Sequence, residues 1–232
     1  MSILKAWFRK NTVLAALILI SGLSITVTGF LFNQDFFRIL PLYISLIIAL
    51  MQSNVNRYAL LLGGINSILY AFVYIYYSLY ASALYAAFIS FPIQIVTFIR
   101  WNKQRWKSST LLRKMSWKLR SITAFSFAAV WSGMYILLTL TDSKYVLFDT
   151  SVSLFGILIS ILTMFSYIEY TYLMLPSCLI SIGMYLVMMQ ENPEQITYLI
   201  FSIYCFVCQC IAFRNARQIY AEQKKEDVVT TQ

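Results

Sequence analysis

Histidine is absent from the 232 residues. Its absence removes an imidazole general base, the usual zinc sites and the ordinary protonation switch near neutral pH. Charge is scarce too: 12% of residues are Asp, Glu, Lys or Arg, against roughly 25% in a soluble domain. No apolar block holds a central acidic residue, which argues against the carboxylate relay of a proton-driven pump and leaves coupling only to residues at the turns. The four cysteines, Cys178, Cys205, Cys208 and Cys210, all lie inside apolar blocks. Three of them form CFVCQC, but with no partner site they read as small hydrophobes rather than metal ligands or a redox pair. No phosphate-binding glycine loop occurs. Nucleophile, base and metal ligand are nowhere paired, so no catalytic residue, metal site or cofactor is expected.

What the chain does have is apolar length. Hydrophobic residues make up 60% of it, and the mean hydropathy is +0.71. They fall in blocks at 13–32, 39–53, 59–77, 80–99, 121–140, 148–168, 170–189 and 195–213. Runs of this length predict membrane-spanning helices; they are too long and too continuously apolar for the strands of a membrane barrel. The expectation is an all-α polytopic membrane protein with eight spans. The short second block and the slight break at 77–80 leave seven or nine as alternatives. The first block is longer than a signal-peptide core and lacks a small-residue cleavage pattern, which predicts a retained helix.

Net charge is +9, which in a soluble protein would suggest nucleic acid. Here the charge follows the blocks. With the N-terminus inside, sixteen of the eighteen basic residues fall on the cytoplasmic side, leaving only Arg38 and Lys144 outside. Asp35, Asp142, Asp149, Glu191 and Glu194 also fall outside. This asymmetry predicts an even number of spans with both termini cytoplasmic. The segment RWNKQRWKSSTLLRKMSWKLR, residues 100–120, then reads as a basic linker with Trp101, Trp106 and Trp117 at the lipid interface, and no nucleic-acid partner is expected. Membrane lipids are. The tail AEQKKEDVVTTQ reads as a solvated end.

The polar residues inside the blocks point to function. Asn66, Tyr70 and Tyr74 recur every four residues, so they share one helix face. Gly63 and Gly64 allow close helix approach. That face is either an interhelical clamp or the wall of a solute pathway. In ISFPIQIVTFIRW, Pro92 should kink its helix and free the carbonyl near Phe88, with Ser90 and Gln94 near enough to use it. Gln94 brings two donors and an acceptor into an apolar layer, where leaving them unpaired costs about 1–3 kcal/mol. Gln209, late in the last block and followed by Arg214, repeats the arrangement of Gln94 and Arg100. Tyr185 and Tyr204 are further aromatic candidates, and Glu169 stands at an expected cytoplasmic turn. NSILYAFV and LISIGMYLVM are loosely alike. With helices 2–4 and 6–8 as triplets and one span between them, the two would be parallel.

In these features the chain resembles the PnuC-type nicotinamide riboside transporter family. The resemblance covers roughly residues 37–217 and is best in GGINSILYAFVYIYYSLYASALYAAFISFPIQIVTFIRW. There Asn66, Leu69–Tyr70, Leu79–Tyr80, Pro92, Gln94 and Trp101 occupy the family's positions. Asp149 and Glu169 resemble acidic residues of the second triplet, and Gln209 stands where an asparagine is common. Departures occur at Ala86, where an asparagine is usual, around YLMLPSCLIS, and after Gln94, where no glycine follows.

The resemblance implies a SWEET-like 3+1+3 parallel repeat with an additional N-terminal transmembrane helix. The chain then divides into a lead-in helix (1–36), a first repeat (37–100), the basic linker and connecting helix (101–147), a second repeat (148–214) and a tail (215–232). It implies facilitated diffusion of nicotinamide riboside across a bacterial cytoplasmic membrane, with alternating access and trapping by a cytoplasmic kinase. The substrate would meet Asn66, Tyr70, Tyr74, Ser90, Gln94, Glu169, Tyr185, Tyr204 and Gln209. The substituted positions keep thiamine, riboflavin or another nucleoside open. A membrane enzyme, a channel and a non-transporting scaffold are the readings outside transport. Small-residue faces suit packing between copies as well as within one, so a homo-oligomer is among the arrangements allowed.

Overall fold

A computed structural model describes residues 12–141 and 144–230. Lys5, Arg9, Lys10 and Asp142, used above for orientation, lie outside the described residues. Eight helices follow one another: α1 (Thr12–Leu31), α2 (Phe36–Ser53), α3 (Tyr58–Tyr76), α4 (Tyr80–Lys103), α5 (Trp117–Thr139), α6 (Val146–Met164), α7 (Glu169–Glu191) and α8 (Ile196–Thr230). Seven of them, α2 to α8, are long and apolar enough to cross a membrane; α1 contributes a shorter apolar stretch, Ala16–Leu31. The chain is thus a multi-pass membrane protein, and its many outward-facing Leu, Ile and Phe side chains suit a hydrocarbon solvent.

The helix stops are made without glycine. Asn33, Val55, Ser78 and Ser166 each take a left-handed backbone conformation, φ 48–59°. At each, the residue's N–H reaches the carbonyl three back and the next N–H the carbonyl five back, as in Val55 to Gln52 and Asn56 to Met51. This caps the last turn of α1, α2, α3 and α6 alike. The α5 start is capped by Ser116, whose Oγ accepts from the Leu119 N–H at 3.3 Å.

Packing joins the helices into a closed ring, α2–α3–α4–α6–α7–α8 and back to α2. α1 lies outside it against α8 and α2, and α5 lies outside against α6. At one end of the ring gather the basic segments. There Arg105–Trp106 (β1) pairs antiparallel with Ser109–Thr110 (β2), with Lys107 at φ 52° in the turn.

α8 does not stop near residue 213. It runs on as helix through Thr230, so the expected solvated tail clamps this hairpin instead. Gln223 Oε1 accepts from the Leu112 N–H at 3.0 Å, its Nε2 donates to the Thr110 carbonyl at 2.9 Å, and Lys107 pairs with Glu222 at 3.0 Å. The tryptophans also divide. Trp117 is 76% exposed and Trp101 only 2%, because the Trp101 indole N–H finds the Thr163 carbonyl at 2.9 Å.

The opposite end is closed. Arg38 bonds the Tyr77 hydroxyl and pairs with Glu194 at 3.3 Å, joining α2 to the start of α8. The Tyr198 hydroxyl donates to the Arg38 carbonyl at 2.8 Å. Tyr145 donates to Glu191 at 2.9 Å; burial, then the Glu191 carboxylate, push its pKa up to about 12. Asp149, fully buried, reaches from α6 to the start of α4. Its carboxylate accepts from the Ala81 and Ser82 N–H groups at 3.1 Å each and from Ser82 Oγ at 2.5 Å. This caps α4 from another helix, with the negative charge at the favourable end of its dipole.

Candidate functional site

Two cavities lie inside the ring. The one nearer the basic end, about 130 Å3, is bounded by all six ring helices, with Tyr85, Gln94, Trp101, Ser160, Tyr170 and Gln209 among its lining. The other, about 190 Å3, lies between α2, α3, α4 and α8, with Ser45, Asn66, Ser67, Tyr70 and Cys205 among its lining. Gln52 and Gln94 border both.

Gln94 owes its position to the form of α4. Residues Tyr85–Ser90 make a π-helical turn directly before Pro92. The wider turn lets the Phe91 N–H reach the Ala86 carbonyl and accommodates the proline's missing donor. Ser90 therefore does not turn back to Phe88. It bonds Ser67 Oγ at 2.8 Å and accepts from Gln94 Nε2 at 2.7 Å. Gln94 Nε2 also donates to Ser67 Oγ at 3.1 Å, and Ser67 donates to the Gly63 carbonyl at 2.8 Å.

Asn66 and Gln209 are held in the same manner. Asn66 Nδ2 donates to the Pro41 carbonyl at 3.0 Å and to Ser45 Oγ at 2.7 Å; Ser45 passes the bond on to the Tyr70 hydroxyl at 3.0 Å. Gln209 Nε2 donates to Gln52 Oε1 at 3.1 Å. The amide N–H groups of Asn66, Gln94 and Gln209 are thus engaged inside the protein. Their oxygens are not: Asn66 Oδ1 and Gln209 Oε1 are buried with no partner, and Gln94 Oε1 accepts no hydrogen bond among the described residues. Neither cavity lining contains an Asp, Glu, Lys or Arg. The cavities are thus lined by amide side chains and aromatic rings, with no fixed charge.

The remaining candidates are placed differently. Tyr70 stacks on Tyr74, with ring centroids 5.6 Å apart, and Tyr185 stacks on Tyr198 at 5.6 Å. Tyr204 donates to the Leu46 carbonyl at 3.1 Å. Tyr74, Tyr185 and Tyr204 belong to the packed layer between the cavities and the closed end, and line neither cavity. Glu169 is elsewhere, in a cleft between α5, α6 and α7, where it accepts from the Met115 N–H at 3.1 Å and from Arg120 at 2.5 Å.

Gln52, Tyr85 and Trp101 also line the cavities, beyond the site residues expected from the sequence. Tyr85 had one sequence signal, its place on the same block as Gln94. Its ring lies over Gly156, where a β-carbon would sit 2.7 Å from Cζ.

A sequence model described as nicotinamide mononucleotide transporter matches residues 35–215. A crystal structure of the vitamin B3 transporter PnuC superposes with a TM-score of 0.77 at 15% identity, covering 90% of this chain and 92% of that one. No curated protein sequence matches. The structural likeness establishes the fold, and the sequence match extends over most of the ring: the chain belongs to the nicotinamide mononucleotide transporter family, a family of transporters rather than enzymes.

Proposed function

We propose that this protein carries nicotinamide riboside across a bacterial cytoplasmic membrane by facilitated diffusion. The observation that carries this reading is a charge-free lining in which the amide side chains of Asn66, Gln94 and Gln209 stand among aromatic rings, with Asn66 Oδ1 and Gln209 Oε1 left without donors. Ribose hydroxyls and a carboxamide NH2 are donors. The positively charged pyridine ring suits the faces of Tyr70, Tyr85 and Trp101. A mononucleotide phosphate would enter the same space with two negative charges and no Lys or Arg to meet it, a costly burial. The riboside fits this chemistry better than the nucleotide does.

Movement is by alternating access. α2–α4 and α6–α8 act as two parallel triplets joined by α5, with α1 an additional eighth span and both termini in the cytoplasm. The α4–α6 and α8–α2 seams of the ring support this division. With Arg38–Glu194 and the tyrosine layer closed, the cavities belong to a state nearer to opening at the basic end. Rocking of the triplets then breaks the Arg38–Glu194 seam and brings Tyr74, Tyr185 and Tyr204 to the passage. A cytoplasmic kinase makes uptake net inward by phosphorylating the riboside.

The test is binding to the purified protein followed by counterflow in liposomes, comparing nicotinamide riboside with its mononucleotide, thiamine and riboflavin. The riboside should bind and exchange without ATP. If Gln94→Ala and Gln209→Ala each leave binding and counterflow unchanged, the site is elsewhere; if the mononucleotide exchanges as well as the riboside, the substrate reading fails.

A further inference from the structure

α5 packs substantially on α6 alone, and Leu138 is its one buried residue among those described. It stands off from α7, and a cleft of about 410 Å3 opens between them at the basic end of the molecule. Leu158, Leu162 and Leu173 wall the cleft, and its polar lining is Lys114, Arg120, Thr123 and Glu169. Lys114 is exposed and makes no hydrogen bond or ion pair among the described residues. Arg120 gives one nitrogen to Glu169, but its Nε has no acceptor and Glu169 Oε2 has no donor. Trp117 beside the cleft is 76% exposed, and Tyr172 on its wall is 44% exposed. Aromatics at that level mark headgroup depth, with the Leu side chains toward the acyl region.

We propose that the cleft between α5 and α7 binds a phospholipid headgroup of the phosphatidylglycerol type. Two cations against one carboxylate leave a net positive site for a singly charged phosphodiester. The phosphate oxygens accept from Arg120 and Lys114. A glycerol hydroxyl supplies the donor that Glu169 Oε2 lacks. Arg120 Nε and Glu169 Oε2 lie just beneath the cleft surface, so the headgroup engages them by a turn of both side chains. The acyl chains then run along the outward apolar faces of α5 and α7. Bound there, the lipid fastens α5 to the triplet that it otherwise touches only through α6. This site is separate from the two cavities inside the ring and does not depend on what they carry.

The full-length protein, exchanged into mixed micelles with equal phosphatidylglycerol, phosphatidylethanolamine and phosphatidylcholine, should retain phosphatidylglycerol preferentially in native mass spectra. Lys114→Gln removes a side chain with no partner in the chain, and should lower that retention about fivefold; Arg120→Gln should lower it at least as much. Unchanged retention in Lys114→Gln, or equal retention of the three lipids by the unsubstituted protein, overturns the proposal. So does displacement of the bound lipid by free glycerol phosphate at equal concentration, which would assign the cleft to a soluble anion.

Discussion

Gln94 Oε1 occupies the space that a β-carbon on Gly63 would need. The glycine is a seat for the amide, and it lets Gln94, which borders both cavities, reach Ser67 and Ser90. Gly63→Ala should push the amide out of place without disturbing the α3 backbone, which is regular there. We expect substrate binding to weaken about tenfold, the scale of one buried hydrogen bond and its orphaned partner. Isothermal titration on the purified variant measures this, and a normal thermal midpoint should accompany the loss. Unchanged affinity would show that the Gln94 position is irrelevant to binding.

The amide pair Gln52–Gln209 borders the cavity from α2 and α8. Gln52→Ala should free the Gln209 amide to turn, and so should alter affinity through it. In a double-mutant cycle with Gln209→Ala, the two effects should be non-additive by about 0.5–1.5 kcal/mol. Strict additivity of the two binding changes would mean that the pair is not a unit.

Asp149 is a stability element by its geometry: one carboxylate answers two backbone donors and a hydroxyl at the start of α4. Asp149→Ala leaves the two N–H groups without an acceptor in a buried place, while Ser82 Oγ keeps Ser153 Oγ at 3.1 Å, and should cost about 2–4 kcal/mol. Asp149→Asn, which keeps one oxygen, should cost less. Thermal unfolding in detergent ranks them; an Asp149→Ala midpoint equal to that of the unsubstituted protein would contradict the cap.

The Arg38–Glu194 pair and the tyrosines beneath it separate Cys205, on the second cavity, from the far end. In a background with Cys178, Cys208 and Cys210 replaced by serine, Arg38→Gln should raise the rate at which an impermeant maleimide added from that end modifies Cys205. The expected rise is several-fold, since one partly screened ion pair stabilises closure by about 1 kcal/mol. No change in rate would remove Arg38 from the closure.

Much of the architecture was legible because lipid leaves few choices. Uninterrupted apolar runs bounded the helices to within a few residues except at the end of α8, which runs on to Thr230, and the alternation of basic and acidic connections matches the two ends of the ring. Asn66, Tyr70 and Gln94 were legible too, since polar groups in an apolar block demand partners. Gln52 was not: at the end of its block, next to Asn54 and Asn56, it resembles a turn residue, and only closure of α8 on α2 sets it opposite Gln209. Trp101 follows Arg100 and precedes Lys103, so it resembled an interface anchor; the buried Thr163 carbonyl that takes its N–H is sixty-two residues away. The charges of the α8 extension suggested a free tail because the hairpin they bind was not visible as one. Glu169 had the signature of a polar turn residue, which fits a cleft at the periphery as well as it fits a passage.

The widened turn in α4 sets the aim of everything after it. An α-helix advances about 100° per residue, so the surplus residue within Tyr85–Ser90 swings the second half of the helix through that angle relative to the first. Phase, more than residue choice, decides whether Gln94, Thr97 and Trp101 look inward or toward the acyl chains. Deleting one residue from that hexad would keep every side chain beyond it and misdirect three of them together.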